Sequence, residues 1–217
     1  MTPQTMRDYY AQRAQSLEQV YQKPERQTDL REMHERVREV LKGQRVLELA
    51  CGTGYWTEKY APLASSVHAT DINQSMLDIA GTKTYPAGKV TLALADIFDL
   101  PDAPADAYSA CFAGCFWSHV KREEQVAVLS KLSKGAGKGT MLVLLDNNYV
   151  EGSSTTIART DLEGNTFQFR MQEDGTRVAI VKNFPTDSAL RKKFGALVRD
   201  IRIVRNEHYW LLTCILK

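Results

Sequence analysis

Cysteine is scarce in this chain and shows no pairing pattern: Cys51, Cys111, Cys115 and Cys214 have none of the paired spacings that hold zinc. In a reducing compartment they are expected to remain thiols that fill the core or line a pocket, with no metal. An excess of one charge is also missing. Lys and Arg total 28 against 26 Asp and Glu, a net charge of +2 spread along the sequence, which argues against nucleic acid or an anionic membrane as the main partner. No apolar run approaches the length of a bilayer span. The amino terminus has no basic segment leading into an apolar stretch, so a cytoplasmic protein is expected. Repeats and low-complexity tracts are absent. What is present, 217 residues of which 43% are hydrophobic, is enough to fill the core of one compact domain. A small-molecule partner is the default, with the chain as monomer or homodimer.

Against that background the stretch VLELACGTGYWT, Val46 to Thr57, stands out. An apolar run ends in Cys51-Gly52-Thr53-Gly54, a glycine turn where a strand passes into a helix. Glycine suits a backbone that takes positive φ or meets a ligand with no Cβ between, and the following helix points free N–H groups at the same place. A second apolar run, Ser66 to Thr70, ends at Asp71, where a carboxylate is spaced to accept hydrogen bonds from a ribose. Two cofactor classes fit this pair. Thr57 stands where a dinucleotide fingerprint places its third small residue, and with Trp56 it would crowd a pyrophosphate, so a dinucleotide is the minor alternative.

The remaining pattern alternates. Helices are expected from Gln4 to Tyr21 and from Pro24 to Leu41, the second with Leu30, Met33, Val37, Val40 and Leu41 on one face. Strands follow at Arg45 to Ala50, Ser66 to Thr70, Val90 to Ala95, Tyr108 to Ala113 and Thr140 to Asp146, with helices starting at Tyr55, Gln74 and Lys121. Such alternation predicts a parallel sheet covered on both faces. Between the fifth strand and a helix starting near Thr186, two alternating stretches, Thr166 to Gln172 and Arg177 to Lys182, flank Asp174-Gly175 and read as a hairpin insert. Phe167, Phe169 and Met171 share one face of it, Gln168 and Arg170 the other. One face is free to pack on the core while the other lines a cleft, or it is simply solvated. Two last strands, Ile201 to Arg205 and His208 to Ile215, meet at Asn206-Glu207.

Glu48-Leu49-Ala50-Cys51-Gly52-Thr53-Gly54 resembles the first motif of class I S-adenosylmethionine-dependent methyltransferases, with Ala50 at the family's first glycine. The resemblance extends from Val46 to Leu216. It implies a Rossmann-like, doubly wound α/β fold with a seven-stranded sheet and an antiparallel last strand. The sequence is then divided into a helical cover (1–43), a cofactor-binding half (44–149), the hairpin insert (150–185) and the last helix and strands (186–217). The implied cofactor is S-adenosyl-L-methionine, held by Tyr10, Glu48, Ala50, Cys51, Gly52, Gly54, Asp71, Ile72, Met76, Asp96, Ile97, Phe98 and Ala113. Within that set Asp96, after the third strand, takes the place of the acidic residue that meets the adenine amino group. The run SACFAGCFWSH, Ser109 to His119, lies where the family's fourth strand passes under the methionine part. Tyr9, Tyr10 and Arg13 resemble the amino-terminal segment that closes over the cofactor, or are ordinary helix packing.

In-line methyl transfer needs alignment, exclusion of water and, for a protonated acceptor, a base. His119, beyond the fourth strand, is the candidate base, although Ser118 and His119 also precede a helix and are placed to cap it. Acceptor contacts are expected from Tyr9, Arg13, Trp117, Asn147, Gln168 and Arg170. Asn147 lies just past the fifth strand, where a pocket role competes with a plain turn. His34, His68 and His208 are given no chemistry. Two other readings stay open: transfer or cyclisation of the aminocarboxypropyl group with release of methylthioadenosine, and a non-catalytic subunit that only binds S-adenosylmethionine.

Overall fold

The computed structural model describes residues 3–104, 106–172 and 175–217, with side chains from Met6 onward. The first helix, α1 (Pro3–Gln12), gives way to a 3₁₀ segment, Ala14–Tyr21, where one continuous helix was expected. A second 3₁₀ turn, Pro24–Arg26, leads into α2 (Gln27–Leu41), whose residues Leu30, Met33, Val37 and Leu41 are all buried. That spacing is the apolar face of a helix.

From there the chain alternates as its sequence requires: β1 (Arg45–Leu49), α3 (Tyr55–Tyr60), β2 (Ser66–Asp71), α4 (Gln74–Ala80), β3 (Val90–Leu94), β4 (Ala110–Gly114), α5 (Gln125–Ala136) and β5 (Met141–Asn147). Three short strands follow, β6 (Arg159–Thr160), β7 (Thr166–Met171) and β8 (Arg177–Val181), and then α6 (Asp187–Phe194), β9 (Val198–Arg205) and β10 (Tyr209–Leu216). The main sheet has the order β3-β2-β1-β4-β5-β10-β9, with the first five strands of that order parallel and β10 antiparallel between β5 and β9. This is the seven-stranded, doubly wound arrangement expected from the sequence.

Period-two alternation divides the core between the two faces. Val143 and Leu145 pack with α2, α3 and α4 on one side, while Leu142 and Leu144 pack with α5 and α6 on the other. Asp29 of α2 accepts hydrogen bonds from both the backbone N and Nδ1 of His208, at 2.9 and 2.8 Å, which pins α2 to the start of β10. The insert is a three-stranded sheet, β6-β7-β8, one strand more than a hairpin. Asp174 of its anticipated turn lies outside the described residues. Among the described residues no helix is long and apolar enough to cross a membrane.

Candidate functional site

A cavity of about 450 Å³ runs along the carboxyl ends of the parallel strands and is closed from above by the amino-terminal segment and the insert. The β1–α3 turn sits beneath it. Gly52 takes φ 57° and donates its N–H to Asp71 Oδ2 at 2.8 Å, while Asn73 donates to Asp71 Oδ1 at 2.9 Å. Burial pushes the Asp71 carboxyl upward and these amides pull it back, so an almost enclosed carboxylate is held at the cavity edge. Asp96 lines the cavity one strand further out and caps the turn Ile97–Asp99 by accepting from the Phe98 N–H at 2.8 Å. Ile72, Met76, Ile97 and Phe98 add apolar wall around the two carboxylates, and Ala50 and Cys51 complete this part of the lining. A pair of acidic groups, a backbone stripped of Cβ atoms and apolar surface for a flat ring together fit an adenosine moiety.

Glu48 also reaches the lining, yet Oε2 accepts from Thr57 Oγ1 and Tyr60 Oη, both at 2.6 Å. Desolvation raises its carboxyl to about 7. Two positions in the anticipated cofactor set turn elsewhere. Gly54 (φ 75°) has its open side toward α4, where an added Cβ would stand 2.3 Å from Tyr85 Oη and 3.2 Å from Ala80 Cβ. Its glycine requirement is one of backbone conformation and packing beneath the loop. The Ala113 side chain is buried in the α5–α6 core, and its neighbours Gly114 and Cys115 line the cavity instead.

On the opposite flank, Tyr10 from the cover meets His119. Tyr10 Oη and His119 Nε2 are 2.8 Å apart, and His119 Nδ1 is 2.7 Å from the Val181 carbonyl oxygen. A carbonyl only accepts, so the proton sits on Nδ1 and Nε2 accepts from the phenol. Burial, then the Lys182 charge, depresses the imidazole to about 3. His119 is therefore neutral at physiological pH with its basic lone pair engaged. Neither Ser118 nor His119 caps α5, which begins at Gln125. Ser118 instead gives its N–H and Oγ to Asp146, at 2.7 and 2.9 Å.

Lys182, just past β8, is 8% exposed and donates to Ser118 Oγ (2.7 Å), Asp146 Oδ1 (3.1 Å) and Asn147 Oδ1 (3.0 Å). The network fixes Asn147 at the rim and ties the insert to β5. Beside it Arg170 is held by Gln168 Oε1 at 2.7 Å and by Thr155 Oγ1, both uncharged, and its charge acts on Tyr10 and His119. Gln168 and Arg170 thus look into the cavity. The alternate face is divided: Phe167 is buried beneath the Arg159 guanidinium, whereas Phe169 lies partly exposed under that of Arg177 and Met171 is exposed.

Tyr9 and Arg13 line the cavity and are joined by a 2.8 Å bond from Arg13 Nη1 to Tyr9 Oη. Trp117 does not line it. It is 1% exposed and packs on Phe194 with ring centroids 4.9 Å apart, because the 3₁₀ turn Trp117–His119 sends consecutive side chains to opposite sides of the strand ends. Sequence reasoning passed over Lys182, Arg26, Tyr21 and Tyr209, all of them in the lining. Lys182 left one signal, a lysine closing the apolar run Val178 to Val181; the others come from segments read as helix or core.

The methyltransferase-domain family model matches residues 46–139, the segment that carries the glycine turn, both carboxylates and β4. Solved structures cover nearly the whole chain. DhpI in a complex with SAH is 26% identical over 98% of this chain and 96% of that one, with a TM-score of 0.78. The DhpI complex with SAM and HEP is 24% identical over 97% and 96%, with a TM-score of 0.79. The CcbJ methyltransferase of Streptomyces caelestis shares the fold at 16% identity, with a TM-score of 0.61 over 86% of this chain and 88% of its own. No curated protein matches the chain in sequence. With the glycine turn, the acidic pair and the strand order in agreement with these likenesses, residues 46–139 are a methyltransferase domain and the chain takes the class I S-adenosylmethionine-dependent methyltransferase fold.

Proposed function

We propose that this enzyme methylates an oxygen of a small anionic acceptor, an oxyacid of the carboxylate or phosphonate kind. Methyl transfer from S-adenosylmethionine to a small molecule is the activity of the chain; the acceptor class is our reading. The observation that carries it is Arg170, a cavity-lining guanidinium held by neutral partners and, among the described residues, not paired with a carboxylate. Lys182 lines the same cavity. A guanidinium fork in a partly dry cavity suits two oxygens of one anion. Likeness to DhpI, whose structures hold SAH or SAM with HEP, supports a cavity that receives a cofactor and a second small ligand.

Bound S-adenosylmethionine supplies a methyl group on a sulfonium, open to displacement by a nucleophile in line behind it. The residues of the chain align and dehydrate. Asp71 and Asp96 fix the nucleoside end, Arg170 fixes the acceptor, and the cover excludes water. An oxyanion arrives without a proton to lose, which agrees with a neutral His119 whose Nε2 is occupied. In this reading His119 orients the Tyr10 hydroxyl, and the phenol oxygen presents its lone pairs to the cavity.

The test is incubation with labelled S-adenosylmethionine and a panel of small carboxylates and phosphonates, with mass analysis for the methyl ester. Arg170→Met is expected to raise the acceptor KM by roughly 10- to 100-fold, the loss of one charge-assisted contact, with SAH affinity unchanged. Methylation confined to neutral amines or thiols, or an unchanged KM in the variant, overturns the anionic reading. Release of methylthioadenosine in place of SAH would point to aminocarboxypropyl chemistry.

A further inference from the structure

Arg26 lines the same cavity as His119. It is 8% exposed, ends the turn Pro24–Arg26 just before α2, and donates from Nε to Ser153 Oγ at 2.8 Å. Ser153 Oγ in turn donates to Glu25 Oε1 at 2.6 Å, and Lys23 Nζ donates to the Ser153 carbonyl. Glu25 thus meets the serine and, at 4.0 Å, the Lys23 ammonium, and among the described residues no carboxylate forms an ion pair with the Arg26 guanidinium. Its charge opposes the burial that pushes Cys115 up to about 11 and Tyr209 up to about 12, which puts it near both groups.

A buried guanidinium without a carboxylate costs several kcal/mol of lost hydration unless something anionic meets it. The rim specifies what that is. Asp96, Gly52 and Cys115 follow β3, β1 and β4, and Asp71 ends β2; these strands are neighbours in the order β3-β2-β1-β4 in the sheet. A nucleoside fixed at Asp96 and Asp71 therefore extends its other end over Gly52 toward Cys115. In the implied cofactor that end is an amino acid. Of the cations near this end, Lys182 already makes three hydrogen bonds to the protein and Arg170 faces Tyr10 and His119.

Resting on the cofactor reading above, we propose that Arg26, with Lys23 beside it, forms the subsite that binds the α-carboxylate of the cofactor. Arg26 and Lys23 belong to the covering segment and bond to Ser153 in the loop before the insert, so the carboxylate would be met where the two covering segments already join.

Calorimetry with SAH and with its decarboxylated counterpart tests this on the full chain. Wild type is expected to prefer SAH. Arg26→Gln should weaken SAH by about 10- to 100-fold, the range for one charge-assisted hydrogen-bonding partner, while binding the decarboxylated ligand as wild type does. Arg26→Lys, which keeps the charge and loses the fork, should recover part of the preference. If Arg26→Gln weakens both ligands equally, or lowers only the melting temperature, the residue is a structural clasp and the proposal fails. A rise in acceptor KM with SAH binding intact also overturns it and gives the anion to the acceptor. Wild type that binds neither nucleoside ligand refutes the cofactor reading itself, and the subsite with it.

Discussion

A neutral imidazole at the acceptor end changes what His119 contributes. With Nδ1–H on the Val181 carbonyl and Nε2 accepting from Tyr10, protonation requires breaking one contact in a buried site that already faces the Lys182 charge. The turnover number is therefore expected to be flat from about pH 5 to 8, because the group is depressed to about 3. Tyr10→Phe and His119→Ala should each lower it, and their combination should cost little more than either alone, since both remove one positioned hydroxyl. A rate that climbs with pH through a group near neutrality in wild type, and loses that dependence in His119→Ala, would restore the histidine as the proton acceptor. Sequence placed His119 at the rim correctly and gave no access to its state, because tautomer and desolvation are set by Val181 and Lys182, more than 60 residues away.

Among the elements, the amino-terminal cover and the insert were the hardest to read. Amphipathic spacing marked a helix from Gln4 onward, but the chain kinks at Arg13, where Tyr9 Oη takes the guanidinium, and tightens to 3₁₀ geometry through Tyr21. The tightened segment lies over the glycine turn: Thr53 Oγ1 donates to Glu18 Oε1 at 2.7 Å, and Lys83 pairs with the same carboxylate at 2.8 Å. On the far side Gln172 of the insert donates to Gln12 at 3.1 Å. Tyr21 adds an aromatic tie, stacked on Tyr55 with ring centroids 3.7 Å apart, whereas α2 is locked by a whole buried apolar face. The covering part is thus the chain before Gln27, shorter than the first 43 residues. Hydrogen exchange is expected to slow at Tyr9 to Arg13 when SAH is added, with α2 protected to the same degree throughout. Equal exchange at Tyr9 to Arg13 with and without ligand would make the segment a fixed wall. In the insert, alternation identified two faces and Gln168 and Arg170 as partners on one of them. Which face looks inward depends on how β8 crosses to Ser118 and Asp146, a long-range contact that no local pattern contains.

At the scale of the whole molecule the order of strands was legible, because alternation of apolar strands with helices allows few topologies and a short return at Asn206-Glu207 forces an antiparallel end. What the pattern did not reveal is how charge is buried inside that framework, and there the molecule's stability carries a signature. Glu48 lies under the sheet's ligand edge, 1% exposed, with its carboxyl raised to about 7. Between its ordinary 4.5 and that value the folded chain keeps a proton that the unfolded chain has released, so this group destabilises the fold as pH rises through the window. His119, depressed to about 3 from 6.5, acts in the opposite sense: its contribution is complete above 6.5 and is lost as pH falls toward 3. His34, lowered to about 4 chiefly by burial, adds to His119, though its solvent exposure reduces the effect. Glu48→Gln, which retains an oxygen to accept from Thr57 and Tyr60, removes only the first of these trends. Its stability relative to wild type should therefore increase with pH, by up to about 1.4 kcal/mol per unit between pH 4.5 and 6.5. Urea unfolding of the two proteins at pH 5 and 6.5 measures the difference, and parallel curves would mean that Glu48 is already ionised in the folded chain.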